Sequence, residues 1–174
     1  MGKALRTKLS QVAVAVLLLF TLAVPTLADA GSYVDEAHGF QLTQTQGWEI
    51  SSEGKLTLTS PASTERQTIN FTVQVIPARD YTAEQFAEVL KAQAGQSFRG
   101  KVVSESETVL DGNSAYELVW EAQKNAQNSR YITLLAVKDG KLFMLNGRLP
   151  KARYDELAPS ISGLVDGFSF LSGN

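Results

Sequence analysis

Cysteine is absent and histidine occurs once, as His38. Without cysteine the chain has no disulfide, no thiolate metal site and no thiol nucleophile. It also has no lipobox that could carry a lipid at a processing site. Stability must therefore come from the packed core alone. A single histidine limits acid–base chemistry, and a Ser-His-Asp triad would have to use His38. No Gly-x-Ser-x-Gly elbow, Gly-x-Gly-x-x-Gly turn, P-loop or His-Glu-x-x-His helix is present. Cations are not in excess either: 16 Lys and Arg face 18 Asp and Glu, for a net charge of −2. With no basic run, nucleic acid and anionic lipid are not expected partners. Internal repeats, low-complexity stretches and interdomain linkers are all missing.

Against these absences stands one long apolar run. Lys3, Arg6 and Lys8 precede an uncharged stretch from Val12 to Val24, Pro25 breaks it, and Ala28-Asp29-Ala30 follows. That order is the signature of a cleavable signal peptide. The run is shorter than the roughly 20 residues a membrane-spanning helix needs, and no Arg-Arg pair points to the twin-arginine route. The reading is a Sec signal peptide over residues 1–30 and one mature domain over 31–174, without a lipid anchor. Removing 1–30 takes away three basic residues and one acidic residue, so the net charge of −2 becomes −4. The expected compartment is extracytoplasmic: periplasm, thylakoid lumen or the medium.

The mature segment is rich in strand patterns. Phe40 and Leu42, then Leu56 and Leu58, then Ile69, Phe71, Val73 and Val75 alternate with polar residues, a period of two that buries one face. Thr82 with Gln85 forms a capping box, Tyr81 with Phe86 a hydrophobic staple, and Phe86, Val89 and Leu90 an apolar stripe. A first helix is expected there, with its exit at Gly95. Val102-Val103 and Val109-Leu110 flank a polar stretch, Asp111-Gly112-Asn113 turns the chain, and Tyr116, Leu118, Trp120 and Ala122 share a strand face. Asp139-Gly140 between the apolar runs Tyr131–Val137 and Leu142–Leu149 is a two-residue hairpin turn. Both runs are apolar on nearly every residue, so this hairpin belongs mid-sheet, covered on both faces. Tyr154, Leu157, Ile161, Leu164, Val165 and Phe168 have helical spacing, interrupted by Pro159. A short turn is expected before the proline and the main helix from it onward. The predicted order is ββββ-α-ββββ-α: an α+β fold with an antiparallel sheet of about six to eight strands and helices packed on its faces.

Several segments resemble the PsbP-like family, in the family's order. They are Gly39-Phe40-Gln41-Leu42 with Gly47-Trp48, Asp111-Gly112 with Ala115-Tyr116-Glu117-Leu118, Val137 through Asn146, Pro150 through Tyr154, and Val165-Asp166-Gly167-Phe168. The fold is shared with periplasmic DcrB-type and Ran-binding Mog proteins, so it does not by itself fix function. Gln46 stands where a proline usually precedes Gly-Trp, Gly167 stands for the usual serine, and the lipobox cysteine typical of the cyanobacterial photosystem subunit is missing. The resemblance implies a non-enzymatic, extrinsic protein that assists a membrane protein complex, photosystem II being the candidate in a photosynthetic host. The alternative it allows is a DcrB-like module that binds a small ligand or maintains the envelope. No cofactor is expected, and the protein is expected to be a monomer.

Three sets of residues are candidate sites. Asp35, Glu36 and His38 are the metal candidates, since their oxygen and imidazole donors suit zinc or manganese, although a short extended segment cannot enclose an ion alone. Arg148, Lys151 and Arg153 cluster where the hairpin meets the last helix, and form a candidate docking patch for an acidic loop of a membrane protein. Of the carboxylate pairs, Glu117 and Glu121 would lie about 13 Å apart along a strand, beyond the roughly 5–9.5 Å that glycoside hydrolysis uses. Glu105 and Glu107, about 6.6 Å apart on the same basis, are geometrically allowed but sit in a polar stretch that reads as a solvated face.

Overall fold

The computed structural model describes residues 31–172 apart from 44, 66, 125 and 126, so the expected signal peptide over 1–30 lies outside the described residues. Strands β1 (Tyr33–Asp35), β2 (Phe40–Leu42), β3 (Glu49–Ser51), β4 (Leu56–Thr59) and β5 (Asn70–Pro77) lead into helix α1 (Ala83–Phe98). Four long strands follow: β6 (Lys101–Leu110), β7 (Asn113–Lys124), β8 (Gln127–Lys138) and β9 (Lys141–Pro150). A 3-10 turn (Lys151–Arg153), helix α2 (Tyr154–Asp166) and strand β10 (Phe168–Phe170) complete the chain. The main sheet is antiparallel with seven strands in the order β3-β4-β5-β9-β8-β7-β6, and β1-β2-β10 form a second, three-stranded sheet. The α+β reading holds.

The β8–β9 hairpin does lie at the centre. Asp139 and Gly140 both take positive φ (50° and 70°), the conformation a two-residue turn needs to match the twist of its strands. Asp111 and Gly112 (45° and 73°) join β6 to β7 the same way. Alternate residues of β8 then face opposite cores. Ile132, Leu134 and Ala136 join Phe143, Leu145 and the α2 residues Leu157, Ile161 and Leu164, and the small sheet adds Phe40, Leu42, Phe168 and Phe170. Leu135 faces the other way, with Leu118, Leu142, Ala87 and the α1 side chains Phe86 and Leu90. Thus α1 covers one face, while α2 and the small sheet cover the other.

The capping box is present in full: the Gln85 N–H donates to Thr82 Oγ1 (3.2 Å), and the Thr82 N–H to Gln85 Oε1 (2.8 Å). The Tyr81 and Phe86 rings sit 5.5 Å apart as the staple. Three expectations fail locally. Helix α1 passes Gly95 and ends only where Arg99 turns left-handed (φ 48°) and the Gly100 N–H reaches the Ala94 carbonyl (2.8 Å). A Cβ at Gly100 would stand 2.9 Å from both the Ala94 and the Glu121 carbonyl oxygens, so the glycine required by close approach is this one.

Helix α2 starts before Pro159 and contains it. Proline inside a helix costs about 3 kcal/mol, but burying a Leu or Ile side chain contributes about 1.5–3 kcal/mol. Leu157, Ile161 and Leu164 are all buried on the core side of this helix, so packing outweighs the lost bond. Phe168 is not the last turn of α2 but the start of β10. A Cβ at Gly167 would lie 2.5 Å from the Thr43 carbonyl oxygen, and the Thr43 N–H donates to the Gly167 carbonyl (2.8 Å). The backbones touch where the family usually has serine, which allows β10 to pair with β2.

Candidate functional site

The end of the sheet remote from the Asp139-Gly140 turn is built by register. Tyr131 lies opposite Arg148, and Ser129 opposite Pro150, across the central hairpin. Arg148 therefore projects on the α1 side of the sheet and bends diagonally to Ser129 and Gln127. Its Nε donates to Ser129 Oγ (3.2 Å) and its Nη2 to Gln127 Oε1 (3.0 Å). These side chains, with Gln67, Thr68, Asn128 and the start of the 3-10 turn, line an open cleft of about 520 Å³. Further along the same face, Trp120 stacks on Tyr131 with ring centroids 4.1 Å apart. Trp120 Nε1 donates to Thr133 Oγ1 (3.0 Å), which in turn donates to Asn146 Oδ1 (2.6 Å). This lateral chain of hydrogen bonds fixes the strands that carry Arg148.

On the opposite side of the same end, Glu121 is paired in register with Arg130. Arg130 binds one carboxylate oxygen through Nη2 (2.5 Å) and Nε (3.0 Å). Lys151 takes the other oxygen at 2.8 Å, and Lys101 stands 3.8 Å from it. The Lys151 and Arg130 hydrogen bonds hold the Glu121 carboxyl down at about 2, against the opposing effect of burial. The Arg130 guanidinium also lies 4.5 Å over the Tyr154 ring, so the cluster fastens α2 to the sheet. A second cleft, lined by Arg99, Lys101, Glu121 and Lys151, adjoins the first and shares Asn128, Ser129 and Lys151 with it. Among the described residues, Arg99, Lys101, Arg130 and Lys151 thus gather about one carboxylate while Arg148 lines the adjoining cleft on the other side, at one end of a chain whose total charge is negative.

Of the patch anticipated from sequence, Arg148 and Lys151 meet in the cleft. Arg153 instead pairs with Glu156 at 2.6 Å in the first turn of α2. Arg130, Gln127 and Ser129 carry no site signal in the sequence, and Glu121, which enters there only as half of a carboxylate pair with Glu117, is here the partner of the cations. Counting register back from Asp139-Gly140 would have placed Ser129 and Arg148 together, but the β7–β8 connection carries no recognisable turn dipeptide from which to pair Glu121 with Arg130.

Asp35 and His38 come together, with His38 Nδ1 2.8 Å from Asp35 Oδ2, while Glu36 is exposed on the turn. Among the described residues no group of three His, Asp or Glu side chains is placed to hold a metal ion. Glu105 and Glu107 are exposed on β6. Lys91 binds Glu105 at 2.7 Å, and that hydrogen bond keeps its carboxyl below the usual range, unsuited to donating a proton at neutral pH.

Comparison with known proteins places this geometry. The PsbP family model matches residues 28–170. The solution structure of cyanobacterial PsbP (CyanoP) from Synechocystis sp. PCC 6803 superposes with a TM-score of 0.60 at 15% identity, over 83% of this chain and 95% of that one. LpqN of Mycobacterium tuberculosis, involved in cell envelope biogenesis, gives 0.56 at 16%, over 76% and 83%. The protein PA94 of Pseudomonas aeruginosa gives 0.55 at 13%, over 67% and 79%. Among curated proteins no sequence match was found. At these identities the structural likenesses concern the fold, whereas the family match spans nearly the whole described chain. The chain belongs to the PsbP family.

Proposed function

We propose that this protein is a non-catalytic accessory factor that works on the extracytoplasmic side of a membrane and docks onto a membrane protein complex through the basic end of its sheet. The observation that carries the proposal is that, among the described residues, Arg99, Lys101, Arg130 and Lys151 gather about Glu121 on one side of this end and Arg148 lines the adjoining cleft on the other. In an otherwise acidic molecule such a dipole orients the approach to an acidic surface and speeds encounter more than it strengthens the final complex. Family membership and the resemblance to CyanoP support photosystem II as the complex in a photosynthetic host. The signal-peptide pattern supports export, and among the described residues no helix is long and apolar enough to cross a membrane.

Affinity capture from solubilised host membranes tests the proposal. Charge reversal at Lys101, Arg148 and Lys151 is expected to abolish recovery of the complex, and recovery is expected to fall with added salt. Undiminished recovery by the reversed protein would refute docking through this end. A second reading, an envelope-maintenance module, draws on the likeness to LpqN and on the polar cleft. It is the one to keep if the host has no photosynthetic reaction centre.

A further inference from the structure

The cations of the basic end are not equivalent. Arg130 and Lys151 share the Glu121 carboxylate, and Arg153 pairs with Glu156. Among the described residues that bind or line the first cleft, Arg148 alone has neutral partners: a hydroxyl and an amide oxygen, no carboxylate. Guanidinium carries five donors in a planar fork, and two of its nitrogens are held by these contacts. The plane is thereby fixed, and the fork keeps donor capacity beside a cleft of about 520 Å³. That size lies within the ordinary range for bound ligands.

We infer that this cleft recognises a carboxylate side chain on an extended, polar segment of the partner protein, with Arg148 as its receptor. The inference rests on the docking role proposed above and names the group that is read. Three observations select this occupant. Among the described residues lining the cleft, Arg148 is the one cation with no carboxylate contact, which matches a monoanion, whereas a phosphate or a lipid surface would call for several such cations. The planar fork fits a carboxylate with two parallel hydrogen bonds. The amides of Gln67 and Asn128 offer both donors and acceptors, which suits the peptide groups flanking an acidic side chain. Among the described residues no aromatic ring lines the cleft to stack on a sugar or a base.

The test is titration of the purified protein, followed by amide NMR shifts, with a blocked peptide Gly-Ser-Glu-Ser-Gly, its Gln counterpart and free succinate. The Glu peptide is expected to shift residues 127–129 and 147–151, with the Gln peptide binding at least about tenfold more weakly, the scale of a charged hydrogen-bonded pair. R148Q should abolish the Glu-peptide shifts and leave the rest of the spectrum in place. R148K, which keeps the charge but not the fork, should retain only weak binding. Equal shifts from both peptides, full binding by R148Q, or no shift from any probe would overturn the inference. Succinate binding as tightly as the Glu peptide would overturn it in favour of a small-acid site. Since no membrane complex is involved, failure here is separable from failure of the capture experiment.

Discussion

Glu121 shows how one side chain can hold two layers together. Its neighbours come from β6, β8 and the 3-10 turn, and its side chain is about one-tenth exposed. Glu121→Gln is expected to destabilise the fold by about 2 kcal/mol, less than the 3–5 kcal/mol typical of a fully buried pair because Lys101 and Lys151 reach water. The pH dependence follows from the lowered carboxyl. Between about 4.5 and about 2 the unfolded chain binds the proton that the folded chain refuses, so stability rises with pH across that window. The contribution is complete above about 4.5 and lost as pH falls through about 2. Urea midpoints of wild type and variant should converge as pH approaches 2.5, and a constant gap would show that the carboxylate charge is not what matters. Gly147 is a second residue-scale constraint: a Cβ there would stand 2.6 Å from Ile161 Cγ2. Gly147→Ala should cost about 1–3 kcal/mol as overpacking, and much of that should be recovered in the Gly147→Ala, Ile161→Ala double variant, read as a non-additive cycle.

At the scale of elements, α1 is defined at its start by chemistry and at its end by geometry. Removing the capping hydroxyl with Thr82→Ala should lower stability by about 1 kcal/mol, measured by denaturant midpoint. Thr82→Ser should be nearly neutral, because the hydroxyl remains. The capping box, the staple and the Asp-Gly turns were legible in the sequence because each is a local contact between residues a few positions apart. The exit of α1 was not: Gly95 looks like a terminus, but the position forced to be glycine is Gly100, by the approach of the β7 backbone. Pro159 misled for the same kind of reason. Local propensity argues for a break, and three buried side chains on the core face of α2 override it. The β1 and β10 strands are three residues each, too short for a period to register, and exist because β2 lies between them.

At the scale of the molecule, the three-stranded sheet joins the two ends of the described chain. Phe168 and Phe170 pack edge-on with each other and with Phe143, and Phe168 stacks on Phe40. The Phe170 N–H donates to Asp111 Oδ2 at 2.8 Å, which ties β10 to the β6–β7 turn. A chain ending at residue 166 is therefore expected to lose cooperative unfolding and to bind a hydrophobic dye, because the Phe40 and Phe143 faces lose their cover. A sharp two-state transition in that truncation would show the small sheet to be dispensable. The docking site has the opposite character. It is a polar end of the sheet, so charge reversal at Arg148 should weaken partner capture while keeping a cooperative thermal transition, its midpoint lowered by about 3–10 °C as for a half-buried side chain that loses two hydrogen bonds of about 0.5–1.5 kcal/mol each.

Two things were settled by the sequence alone: the α+β class, and the central, doubly covered hairpin. Both follow from hydrophobic period and turn chemistry, which act over a few residues. The ordered matches along the chain also carried the family. Tertiary structure decided which cations are free. Lys151 and Arg153 look like Arg148 in the sequence, yet each meets a carboxylate brought by strand register or helix pitch, while among the described residues Arg148 meets only neutral oxygens. Charge is a property of a residue, but its availability depends on neighbours that only the folded chain supplies.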